Sequence, residues 1–125
     1  MEKISQQVLY QRLRNRVIEL LDMHSCFEDA ATLGAFEMVN LVDDSLPLDY
    51  TEAPGVFSAK EQEAVDRFLQ AYEVAAEATD TDTWSIEWFK SSEDWVRLNE
   101  VANQAVAIFT ERGRFSEELE EKLNT

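Results

Sequence analysis

His24 and Cys26 are the only histidine and the only cysteine of the 125-residue chain, so they are the first residues to test for chemistry. His-x-Cys is part of a metal-binding spacing. A structural zinc site needs four nitrogen or sulfur ligands, however, and a helical di-iron site needs paired Glu-x-x-His elements. One imidazole supplies neither. A Cys-His nucleophile pair fails on geometry, because residues two apart on a helix point to different sides. The spacing predicts a small buried thiol and an imidazole near the negative end of a helix dipole. Gly34, Gly55 and Gly113 are scattered, which leaves no phosphate-cradling loop, and no Gly-x-Ser-x-Gly elbow occurs. Asp80 and Asp82 lack the glycine and the closing Glu of a calcium loop. With 26 Asp and Glu in the chain, carboxylates meet by chance, so abundance marks no acid pair as catalytic. The sequence predicts no catalytic residue, metal or cofactor. Glu37 is the one acid set among apolar neighbours, where burial would raise its pKa unless Arg12 or Arg16 paired with it.

The charge is more informative. Eleven Lys and Arg against 26 Asp and Glu give a net charge of -15, which argues against nucleic acid or an anionic membrane as partner. Disorder is excluded by a hydrophobic fraction of 45%. The distribution is lopsided. Lys3, Arg12, Arg14 and Arg16 crowd the start, whereas Val17 to Ala59 and Phe68 to Phe89 contain no cation at all. A single cysteine forbids an internal disulfide, and the N-terminal MEKISQQVLYQRLRNR has no signal-peptide core. No apolar run reaches the ~18 residues of a membrane span. A cytoplasmic location is expected.

Stepping outward, apolar periodicity predicts four helices. The first covers about residues 4 to 23, with Leu9, Leu13, Val17, Leu20, Leu21 and His24 on one face. The second covers 26 to 43, with Phe27, Ala31, Gly34, Met38 and Leu41 as its stripe and Ser25 to Glu28 as a capping box. The third starts at Ser58, again with a Glu three residues on, and fades near Thr79. The fourth runs from Ser91 or Ser92 to about Arg112 and is stopped by Gly113. Ala102 and Ala105 are expected to meet Ala31 and Gly34 in a close crossing of the second and fourth helices. Residues 1–125 are therefore read as one all-α domain, an antiparallel four-helix bundle-like fold. An irregular loop lies near 45–57, where Pro47 and Pro54 forbid helix, and a short C-terminal helix begins at Ser116.

Two function classes follow. The first is a non-catalytic protein-interaction domain that offers Asp43, Asp44, Asp49, Tyr50, Glu52 and Phe36 to a partner with a basic surface, as an immunity protein or nucleic-acid mimic would. The alternative is a small-molecule binding module lined by Trp84, Trp88, Phe89 and Trp95. A homodimer through Leu33, Phe36 and Val39 is compatible with either, provided the chain leaves those side chains uncovered.

Overall fold

A computed structural model describes residues 4–123. Among these the α-helices are α1 (Gln6–His24), α2 (Phe27–Leu33), α3 (Ala35–Ser45), α4 (Ala59–Ala78), α5 (Ile86–Ser91) and α6 (Glu93–Thr110), and there is no strand. No helix among the described residues is long and apolar enough to cross a membrane. Three of the expected helices stand where their patterns put them. Ser5 caps α1 by accepting from the Val8 N–H. Ser58 and Glu61 form the reciprocal capping box of α4. Ser92 accepts from the Trp95 N–H to start α6, and Gly113, at φ 72°, returns its N–H to the Phe109 carbonyl at 2.7 Å.

The expected second helix is two helices. Gly34 lies at φ 92° and ψ 154°, a region open essentially to glycine alone, and the chain turns sharply there. Its start also differs: Cys26 is the N-cap of α2 without a side-chain bond, while the Ser25 hydroxyl donates back to Asp22 at the end of α1. The donors freed at the head of α3 are satisfied from the loop between α4 and α5. Ala35 N–H donates to the Thr83 carbonyl at 2.9 Å, and Phe36 N–H donates to Asp82 Oδ1 at 3.0 Å. The close crossing is likewise elsewhere. Ala102 and Ala105 are buried on α6, but α6 packs mainly along α4 and then α1, while Gly34 lies against the Trp84 indole.

The centre of the molecule is ionic. Arg14, fully buried in the apolar stripe of α1, holds Glu61 through two bonds of 2.7 and 2.9 Å. Arg112, just beyond α6, adds a bond of 2.6 Å to the same carboxylate. The remaining Arg14 donors reach the Gly113 carbonyl (2.9 Å) and the Val56 carbonyl (3.0 Å). The Arg14 guanidinium lies over the Phe115 ring, 4.2 Å from its centre, and over the Phe109 ring at 5.0 Å. Burial alone would push the Glu61 carboxyl up. The bonds from Arg14, Arg112 and the Ser58 N–H overcome it and hold the carboxyl down to about 2.

Residues 113–123 contain no helix, against expectation. Ser116 does accept from the Glu118 and Leu119 amides, as a helix cap would. The carbonyls a helix would use internally are instead taken by α1: Gln11 donates to those of Ser116 and Leu119, Arg12 to that of Glu117 and Gln7 to that of Glu121. Asn15 exchanges two bonds with the Phe115 backbone. The tail is an extended strap gripped by its main chain, and Leu119 stays 74% exposed.

Two substitutions test this construction. Gly34→Ala forces a side chain into the glycine-only region and sets its Cβ 2.7 Å from Trp84 Nε1. A loss of about 1–3 kcal/mol in urea unfolding is expected, and a change within about 0.5 kcal/mol would contradict the joint. Glu61→Gln strips the counter-charge from a guanidinium with no exposed side-chain area. It should cost about 3–5 kcal/mol at neutral pH. Because the folded-state pKa lies below the ordinary 4.5, the wild type keeps this stability above pH 4.5 and loses it as pH falls toward about 2. The Gln variant should lack that part of the acid dependence.

Candidate functional site

The acids proposed for contact lie on the outer stripe of α3 and in the loop behind it. On α3, Phe36, Glu37, Asn40, Asp43 and Asp44 are all exposed. Their spacing of one, three, three and one keeps them on one side of the helix. Glu37 thus faces water rather than the core, and the buried carboxylate of the molecule is Glu61. Beyond α3, Leu46 is buried and Leu48 half-buried against the core, and a single 3-10 turn (Tyr50–Glu52) carries the remaining acids outward.

Three of these carboxylates, Asp43, Asp49 and Glu52, are held by neutral donors. Tyr72 of α4 donates its hydroxyl to Asp43 Oδ1 at 2.6 Å, and the same oxygen lies 3.1 Å from the Val39 carbonyl. Asp49 accepts from the Thr51 amide and hydroxyl, which pull its pKa below the usual carboxylate range. Glu52 accepts from the Tyr10 hydroxyl at 2.9 Å and from Gln6 at 2.7 Å. Such bonds fix position without cancelling charge. Arg16 lines a notch of about 340 Å³ with Leu13, Asp43, Asp44, Pro47 and Leu48. Tyr50 is half-buried with its ring 5.1 Å from that of Phe57, and burial pushes its hydroxyl up to about 12.

Arg12 and Arg16 were the arginines expected to find carboxylates. The inward guanidinium is Arg14, and the signal was present: Tyr10, Arg14, Val17, Leu21 and His24 continue one stripe of α1. Other cations pair away from α3, Arg114 with Glu19, Lys60 with Glu111 and Arg67 with Glu63.

The four aromatics of the alternative site do not act as one group. Phe89 and Trp95 are buried edge-to-face at 4.8 Å, and Trp88 closes on both. Trp95 also stacks on His24, donates Nε1–H to the Thr79 hydroxyl, and is 4% exposed. His24, the last residue of α1, lies with Nδ1 and Nε2 against the Leu20 and Met38 carbonyls, and burial lowers its pKa. Trp84 stands apart, 60% exposed, with one edge on Gly34. Of the residues assigned to a dimer face, Leu33 and Val39 pack half-buried against the core, and Phe36 alone is exposed. Comparison of the chain with protein-family models, curated proteins and solved structures gives no match.

Tyr72→Phe removes the bond to Asp43 while leaving the ring. It should cost about 1–2 kcal/mol in urea unfolding. Burial first, then Asp43, hold this hydroxyl above its ordinary pKa of 10.0. The stabilisation is therefore present below pH 10 and lost above it. A Phe variant as stable as wild type at neutral pH would mean that Asp43 is not anchored this way.

Proposed function

We propose that this chain is a non-catalytic interaction domain whose acidic face, formed by Asp43, Asp44, Asp49 and Glu52 with Phe36 and the exposed edge of Tyr50, binds a protein partner with a basic surface. The supporting observation is the partnering of Asp43, Asp49 and Glu52: neutral hydroxyls, an amide and a carboxamide fix them, and no salt bridge among the described residues takes their charge. Meanwhile Arg14 and Arg112 are consumed by Glu61 inside. Pre-positioned, uncompensated carboxylates raise association rate and select against acidic partners, and an apolar anchor adds residence time. The small-molecule alternative has less support, since Phe89 and Trp95 spend their faces on one another and on His24.

The test is capture from the native lysate by immobilised wild-type chain and by the Asp43→Asn, Asp44→Asn, Asp49→Asn triple variant. Wild type should retain a basic protein at low salt and release it at high salt. The triple variant should bind it about tenfold more weakly, mostly through a slower on-rate. A partner held equally by both forms at both salt concentrations would contradict the reading.

A further inference from the structure

The two cation-free stretches of the sequence meet at the Tyr72–Asp43 bond and again at the head of α3. Val17 to Ala59 contributes Gly34, Phe36 and Glu37, and Phe68 to Phe89 contributes Asp82, Thr83 and Trp84. They are stitched together by the bonds from Ala35 N–H to the Thr83 carbonyl and from Phe36 N–H to Asp82 Oδ1. Two large aromatics flank this joint in the open, Trp84 at 60% and Phe36 at 44% exposure. The indole is backed by the bare Gly34 backbone, so it is positioned without being covered. Among the described residues its Nε1–H has no hydrogen-bond partner. An exposed tryptophan held against bare backbone is of the residue type that most often dominates binding energy at interfaces.

The surroundings state what kind of partner fits. Neither stretch supplies a lysine or arginine, and Glu37, Asp80 and Glu87 are exposed on the segments that converge here. From Phe36 the outer stripe of α3 continues to Asp43 and Asp44, so the aromatics cap one end of an acidic track. A cation over an indole face gains from the ring quadrupole, and tryptophan is the best ring for this. A second copy of the chain would bring its own net charge of -15 against the same face.

We propose that the Gly34–Trp84 joint is the anchor point of the acidic face and takes a Lys/Arg-rich segment of a protein partner, one cationic head lying on the Trp84 indole and the next residues following α3 toward Asp43 and Asp44. This rests on the acidic-interaction reading above and assigns its anchor to Trp84 with Phe36, ahead of Tyr50.

The experiment is an NMR titration of the full chain with a hexa-arginine peptide at low salt, with hexaglutamine as the neutral control. The indole Nε1–H of Trp84 and the amides of Phe36 and Glu37 should shift saturably with hexa-arginine and not with hexaglutamine, while the buried Trp95 indole stays still. Trp84→Ala should weaken binding about tenfold or more, and added salt should reverse the shifts. Because the wild-type shift map needs no variant, the proposal stays testable if Trp84→Ala does not fold. Shifts confined to Asp43–Glu52 would overturn the anchor and leave the acidic face standing. No hexa-arginine shift anywhere would overturn both. A Trp84 indole that shifts with protein concentration alone would place a second copy on the joint and overturn the proposal.

Discussion

Glu61 carries three duties at once, and the other features follow from how they are met. It closes the capping box of α4, takes both arms of Arg14 and accepts from Arg112. One carboxylate thereby fixes α1 and the end of α6 against the start of α4. The Gly55 and Val56 carbonyls join through the same guanidiniums, as does the Gly113 carbonyl at the root of the strap. A buried ion cluster of this kind is a weak source of net stability, since apolar residues could fill the same space at less desolvation cost. Its effect is on arrangement: any register that separates the partners strands a charge in the core. The Arg14 guanidinium packs on Phe115 and Phe109, which ties the strap to the core chemically as well as through its backbone.

The outer electrostatics are a consequence of this interior. Two of the eleven cations are spent on a single internal acid, and others serve local surface pairs or the strap. Among the described residues, Asp43, Asp49 and Glu52 are left to hydroxyls and amides, which orient a carboxylate without neutralising it. An acidic chain could be merely soluble, with side chains free to swing. Here Asp43, Asp49 and Glu52 are each fixed by a specific donor, and that order is what supports the proposed interaction face.

Elements whose start and stop signals are local were legible in the sequence. Ser58 with Glu61, Ser92 and Gly113 carry their own physics within four residues, and α4 and α6 begin or end at them. The break at Gly34 was not legible, because Phe27, Ala31, Gly34, Met38 and Leu41 keep helical spacing straight through it. The decision there belongs to distant groups, Trp84 filling the space beside the glycine and Asp82 with Thr83 capping α3. The strap shows the same conflict. Ser116 offers a cap, but Gln7, Gln11 and Arg12 outcompete the helix for its carbonyls. Arg14 was legible in principle, since a charge on an otherwise apolar stripe asks for a buried partner. The acidic loop was recognised by composition, whereas the meeting of the two cation-free stretches at Trp84 required the fold.

The most direct measurement of the whole arrangement is the side-chain carboxyl ¹³C shift of Glu61 followed against pH in the folded protein. If Arg14 and Arg112 hold this acid as described, it titrates near 2, far below the ordinary 4.5. A midpoint at or above the ordinary 4.5 would mean that the central ion cluster does not exist, and the acidic exterior would need another explanation.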